Sequence, residues 1–193
     1  AGLSRINVSV DTLNADRFSE LTRGGKIEKI LEGIRAAEAE GFPIKLNAVV
    51  VKGQNDGDDV IELARLALDY PWQIRFIEMM PFEKNRLFSF KQMHLPIKEI
   101  IQKVPGINRA HIVFPQKRSG PAKIYALPVS KGCIGFIAPV SQHFCRSCNR
   151  LRLTASGKLS ACLFSEIEMD LKSPLRKGAS KADLVELFRN STL

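Results

Sequence analysis

Apolar and polar residues alternate with two different periods along the first eighty positions. Arg5-Ile-Asn-Val-Ser-Val-Asp11 alternates singly and is rich in β-branched residues, which predicts a strand. Asn14 to Gly41 then repeats apolar residues at helical spacing through Ile27, Ile30, Leu31, Ile34 and Ala37, and stops at a glycine. Ile44 to Val51 predicts a second strand, Lys52 to Asp59 a turn, and Ile61, Ala64 and Leu68 the stripe of a following helix. Ile74 to Met79 predicts a third strand. Strands separated by helices imply parallel neighbours, as in α/β barrels and doubly wound sheets. Three strands make an incomplete sheet, and the sequence begins almost directly on the first of them, so a preceding portion is expected.

After Pro81 the rhythm changes to proline-rich and basic segments around a helix at Ile97 to Lys103. Short strands are predicted near His111 to Phe114, Ile124 to Leu127 and Ile134 to Ala138. Ser180 and Asp183 form the signature of a capping box for a last helix carrying Leu184, Leu187 and Phe188. The expected organisation is an α/β part over residues 1–82 and an α+β extension over 83–193.

A chain of 193 residues, 45% hydrophobic and 25% charged, can bury a core, which excludes disordered and collagen-like classes. No apolar run approaches the roughly 20 residues that span a bilayer, and the first residues lack a secretory layout. A cytoplasmic protein is expected, or one of the mitochondrial matrix if the source is eukaryotic. The net charge of +9 is unevenly divided. Residues 1–83 carry 10 Lys+Arg against 14 Asp+Glu, whereas residues 84–193 carry 19 against 6. Such a basic half attracts phosphate-bearing partners without distinguishing a nucleotide from a nucleic acid.

Four cysteines are too few for a disulfide scaffold, so their spacing carries the information. Cys145, Cys148 and Cys162 read C-x2-C-x13-C, and Arg150 to Thr154 and Leu159 to Phe164 alternate around a Ser-Gly turn. A hairpin there would return Cys162 beside Cys148 and Arg150. If the strand starts near Cys148, then Cys148, Arg150 and Arg152 share a face and Leu151 and Leu153 take the core side. Thiolates flanked by two guanidinium forks suit an anionic ligand held next to a metal. Zinc, with Cys133 or His143 as fourth ligand, and a four-iron cluster with one open iron both fit the spacing. A zinc-stabilised nucleic-acid-binding module is the alternative function.

These blocks together resemble a known family, the radical S-adenosylmethionine enzymes of molybdenum cofactor biosynthesis that act as GTP 3′,8-cyclases. The resemblance covers nearly the whole chain. It rests on Arg5-Ile-Asn-Val-Ser-Val-Asp-Thr-Leu13, Lys45-Leu-Asn-Ala-Val-Val with Gly53 and Asn55-Asp56, Arg75-Phe-Ile-Glu-Met-Met-Pro81, and above all His143-Phe-Cys-Arg-Ser-Cys-Asn-Arg-Leu-Arg-Leu-Thr154 with Cys162-Leu-Phe164. It implies about three strands of an incomplete (β/α) radical-SAM barrel, followed by an α+β extension carrying the cysteine hairpin. It implies that Cys145, Cys148 and Cys162 hold a substrate-side [4Fe–4S] cluster, that Lys45, Arg150, Leu151 and Arg152 contact GTP, and that Ser9 and Met80 contact S-adenosylmethionine.

The implied reaction removes hydrogen from the ribose C3′ of GTP by a 5′-deoxyadenosyl radical and closes the C3′–C8 bond. The family's C-x3-C-x2-C motif, which holds the second cluster, and its Gly-Gly tail are not in this sequence. A middle and C-terminal portion, inactive alone, is therefore expected. Implied partners are GTP, S-adenosylmethionine, the downstream cyclic pyranopterin monophosphate synthase and a second copy in a homodimer, with no membrane and no nucleic acid. Lys45 between Ile44 and Leu46 needs an anion if it points into a barrel. Cys133 reads as a small strand residue and His143 as a packing residue, while Arg75 and Glu78 either pair with each other or serve the site.

Overall fold

β-branched residues dominate the alternating stretches, and in a computed structural model these become strands whose two faces differ sharply. Residues 2–81, 90–113, 120–145, 148, 150–163, 165 and 167–190 are described. They fall into two compact units, residues 1–145 and 146–193.

In the first unit β1 (Ile6–Ser9), β2 (Ile44–Val50) and β3 (Gln73–Glu78) run parallel, as the sequence predicts. A fourth strand, β6 (Cys133–Ile137), lies parallel to β3, and β5 (Lys123–Ala126) and β4 (His111–Val113) complete the order β1-β2-β3-β6-β5-β4 as antiparallel neighbours. The strand expected to belong to a separate extension is thus the fourth member of the parallel set. Its Ile134-Gly-Phe136 core is buried throughout, which fits an interior strand. Phe114, at the end of the strand expected from His111, lies outside the described residues.

One face of this sheet is apolar. Ile44, Leu46, Ala48 and Val50 of β2, Ile74 and Phe76 of β3, and Ile134 and Phe136 of β6 are buried with Ile34 of α2 (Ile27–Ala39), Leu63, Ala64 and Ala67 of α3 (Asp58–Asp69), and Ile97 and Ile100 of α5 (Ile97–Lys103). Phe76 and Phe136, register partners, stack with centroids 6.0 Å apart.

The segment Asn14 to Gly41 is two helices rather than one. α1 (Ala15–Thr22) ends at Arg23, whose φ of 58° lets the Gly24 N–H reach back to Ser19 O at 2.7 Å, and the Gly24-Gly25 pair separates it from α2. A short helix α4 (Phe90–Met93) precedes α5, which matches its predicted bounds.

The second unit holds a three-stranded antiparallel sheet of β7 (Arg152–Leu153), β8 (Lys158–Ser160) and β9 (Met169–Asp170), then α6 (Lys172–Arg176) and α7 (Lys181–Asn190). The predicted capping box closes α7. The Asp183 N–H donates to Ser180 Oγ at 3.2 Å, and the Ser180 N–H donates to Asp183 Oδ2 at 2.8 Å. No helix among the described residues is long and apolar enough to cross a membrane.

Candidate functional site

Strand parity puts Ile44, Leu46, Ala48 and Val50 against the helices and so turns Lys45, Asn47 and Val49 to the other face. Register then aligns polar rows across that face. Asn7, Lys45, Gln73 and Cys133 form one row, and Ser9, Asn47, Arg75 and Gly135 the next. Doubly wound sheets bury apolar residues on both faces; here the second face carries Lys45 and Arg75, and its strand positions hold no carboxylate.

Burial pushes the Lys45 ammonium below its usual pKa, and the nearby positive charges of Arg75 and Arg5 push it further. Burial likewise lowers Arg75, whose Nε donates to Gln73 Oε1 at 2.8 Å. Gly135 makes room for that guanidinium stem, since a Cβ there would meet Arg75 Cγ at 3.1 Å. The three cations repel one another, and buried Asn47 Oδ1 has no hydrogen-bond donor among the described residues. Such a face suits an anionic ligand with donor groups. Sequence reading found Lys45 but not Arg5 or Asn47; their signal was the odd-numbered parity of their strands, which needs the register to read across.

Cys133 is half-buried in β6, as expected of a small strand residue. Burial raises its thiol pKa, although the Gln73 amide donates to its Sγ at 3.5 Å.

Ser9 is exposed at the C-terminal end of β1, and Met80, half-buried, follows the C-terminal end of β3. Both therefore lie at the edge where α/β sheets bind ligands. Buried side chains tie that edge down. Asn55 Nδ2 donates to Asp11 O at 2.7 Å and to Val49 O at 2.9 Å, and Asp11 Oδ1 accepts from Val49 N at 2.8 Å. Burial raises the Asp11 pKa against that bond. Asp59, opening α3, accepts from the Thr12 hydroxyl and pairs with Arg17.

Arg75 and Glu78 point to opposite faces of β3, three residues apart, with Glu78 on the helix side. Burial alone would raise the Glu78 pKa, but hydrogen bonds from Ser141, Val140 and Ile97 hold it below the usual carboxylate range. His94 Nε2 lies 3.2 Å from Glu78 Oε1. Neither Glu78 nor His94 was legible as a network, because its partners lie on distant segments.

In the second unit β7 pairs with β8 through Arg152↔Ser160 and Leu153↔Leu159, around Gly157. The strand is shorter than expected: it begins at Arg152, so Cys148 and Arg150 precede it rather than sharing its face. Leu151 and Leu153 are 44% and 66% exposed, not on a core side. Among the described residues of this unit the buried hydrophobic ones are Leu159 and Leu171. The Cys148 thiol is nonetheless held below its usual pKa, by hydrogen bonds from the Arg150 backbone and guanidinium and by the charges of Arg150 and Arg152. Cys145, Cys148, Cys162 and His143 are exposed, and none of the three cysteines forms a disulfide. Among the described residues no three His, Cys, Asp or Glu side chains gather as a metal-holding group.

The chain matches the family described as Molybdenum Cofactor Synthesis C over residues 72–192 and the Radical SAM superfamily over residues 1–67. It is 43% identical over 189 residues to a GTP 3′,8-cyclase of Moorella thermoacetica, covering 97% of this chain and 58% of the relative. A GTP 3′,8-cyclase of Pelotomaculum thermopropionicum is 42% identical over 192 residues, with the same two coverages. One of Listeria welshimeri is 43% identical over 188 residues, covering 96% of this chain and 56% of the relative. The chain thus spans somewhat more than half the length of the curated relatives it matches.

Proposed function

The chain belongs to the Molybdenum Cofactor Synthesis C family, and we propose that it serves the radical cyclisation of GTP to 3′,8-cyclo-7,8-dihydro-GTP, the first step towards molybdopterin. In this reading β1, β2 and β3, within residues 1–82, are part of an incomplete barrel, and residues 83–193 form the extension that lends the sheet β6 and holds the substrate-side cluster. Cys145, Cys148 and Cys162 are its ligands. Three exposed cysteines outside any disulfide, one already biased towards thiolate by Arg150, fit such a cluster by donor chemistry. A [4Fe–4S] cluster held by three thiolates supplies an iron open to a donor atom of the substrate. The second cluster and S-adenosylmethionine belong to the whole protein, with Ser9 and Met80 on the S-adenosylmethionine side. A cytoplasmic location, the downstream cyclic pyranopterin monophosphate synthase and a homodimer complete the proposal.

The observation that carries the substrate assignment is the polar sheet face. Lys45 is a partly buried cation on that face, repelled by the nearby charges of Arg75 and Arg5, and a triphosphate of about four negative charges relieves that repulsion. Lys45 binds phosphate oxygens, while Arg150 and Arg152, with Leu151 between them, hold the nucleotide so that C3′ stays within reach of attack.

Anaerobic reconstitution followed by metal analysis and Mössbauer spectroscopy is expected to give about four irons per chain. Stoichiometric zinc without iron uptake overturns the proposal and favours the nucleic-acid module, whose RNA or DNA affinity would fall steeply with salt. In the reconstituted chain, Arg150→Ala with Arg152→Ala is expected to weaken GTP binding by about 100-fold or more, at 1.5–3 kcal/mol per charged hydrogen bond, with iron content unchanged. Equal affinity by calorimetry removes the role given to the two arginines.

A further inference from the structure

A carboxylate with no solvent contact stands at the end of β3. Glu78 is 0% exposed, on the helix side of a sheet otherwise lined by Ile74, Phe76, Ile134 and Phe136. A buried charge is costly, and an apolar residue of similar volume is often at least as stabilising. Its bonds indicate what the charge does instead. Oε2 accepts the backbone N–H groups of Val140 and Ser141, each at 2.8 Å, and Oε1 accepts the N–H of Ile97, the first residue of α5, at 3.1 Å. One side chain therefore fastens two segments to the C-terminal end of β3.

The first of those segments leads straight to Cys145. β6 ends at Ile137, and Cys145 lies eight positions further along the chain. An extended chain of that length reaches roughly 28 Å, whereas the four residues from Ser141 reach roughly 14 Å. Fixing Val140 and Ser141 thus halves the range open to the cysteine. A second, exposed pin lies one residue on, where Lys123 Nζ donates to Gln142 Oε1 at 2.7 Å. Met80 follows Glu78 by two residues, so the same stretch of β3 that ends at the expected S-adenosylmethionine contact also sets the path to the expected cluster ligand.

We propose that Glu78 is a positioning residue for the substrate-side cluster: it anchors the 138–145 segment through the Val140 and Ser141 N–H groups and so fixes where Cys145 presents its thiolate. This rests on the reading of Cys145 as a cluster ligand. Residues that orient metal ligands from behind typically change metal affinity by about 10- to 100-fold when altered.

The test compares wild type, Glu78→Gln and Phe76→Leu after anaerobic reconstitution, following iron release to a ferrous chelator and amide exchange by mass spectrometry. Glu78→Gln is expected to release iron at least about 10-fold faster than wild type, with faster exchange over 138–145. Phe76→Leu, which loosens the same sheet without touching those bonds, should release iron at the wild-type rate. Equal release rates for wild type and Glu78→Gln overturn the proposal, as does equal acceleration by Phe76→Leu. Should Glu78→Gln not fold, the wild type still decides: Val140 and Ser141 amides are expected to exchange as slowly as those of β6, and loop-like exchange there overturns the anchor. Failure of the wild type to take up iron at all counts against the cluster assignment, whereas slow Val140 and Ser141 exchange with no iron leaves the anchor standing without its purpose and so overturns the positioning role.

Discussion

Replacing Gly132 by alanine is expected to cost roughly 3 kcal/mol or more of stability, at or beyond the top of the usual overpacking range, although it adds only a methyl group. A Cβ at this position would stand 2.1 Å from Trp72 O, 2.7 Å from Tyr70 O and 3.0 Å from Trp72 N. All three are backbone atoms on the approach to β3, so none can swing aside as a side chain would. The Gly132 N–H donates to Ala67 O of α3 at 2.8 Å, and the Cys133 N–H to Trp72 O at 3.1 Å, where the pairing of β6 with β3 begins. The methyl group must push the two strands apart where they join. For a chain of this size the loss corresponds to a melting temperature lower by roughly 6–12 °C. Gly33→Ala is the control, because Gly33 lies exposed in α2 with open space around its Cβ position. There the same change should raise stability by about 0.5–1 kcal/mol. Thermal melts followed by circular dichroism check both; a Gly132→Ala melt within about 2 °C of wild type would mean that the corner is not closed as described.

That corner illustrates what was legible beforehand and what was not. The alternation in Ile44–Val50 and the existence of α3 follow from period alone, and α5 falls on its predicted residues, because each is set by neighbours within a few positions. The buried stripe of α3 is Val60, Leu63, Ala64 and Ala67 rather than Ile61, Ala64 and Leu68, because a helix rich in apolar residues on several sides does not say which side meets the sheet. The place of β6 beside β3 is a pairing between segments some sixty residues apart, as in Gln73 with Cys133, and no local pattern encodes it. The break between α1 and α2 had a local signal in Gly24-Gly25, outweighed in the reading by the apolar spacing that follows it. The hairpin strands of the second unit were overextended for a physical reason. Alternation fixes a strand only when one set of residues is buried, and Leu151 and Leu153 are both exposed. Glu78 looked like a candidate partner for Arg75 because both are charged residues of one strand. Its hydrogen bonds instead run to backbone groups 19, 62 and 63 residues away, where no side-chain motif marks them.

In Lys45→Gln, fold stability and GTP affinity are expected to move in opposite directions. The folded state holds the Lys45 pKa below the ordinary 10.5, by burial first and by the charges of Arg75 and Arg5 next. The unfolded chain therefore binds that proton more tightly, so the charged lysine opposes folding at neutral pH, and the penalty fades as pH rises towards 10.5. Glutamine is uncharged and still polar enough for a half-buried position beside Gln73. The variant should melt above wild type at pH 7, with the gap closing in alkaline buffer. Binding responds the other way. A lost charge-assisted hydrogen bond to phosphate is worth about 1.5–3 kcal/mol, or roughly 10- to 150-fold in the GTP dissociation constant. The salt dependence of binding should also become shallower. Lys45→Arg keeps the charge and should keep most of the salt dependence, while its broader fork alters affinity. Melting curves over pH, with GTP titrations of the reconstituted chain at two salt concentrations, separate the possibilities. A lower melting temperature with unchanged affinity would make Lys45 a structural residue of the sheet. A higher one with weakened binding identifies a position where the fold tolerates repulsion because the ligand's negative charge relieves it.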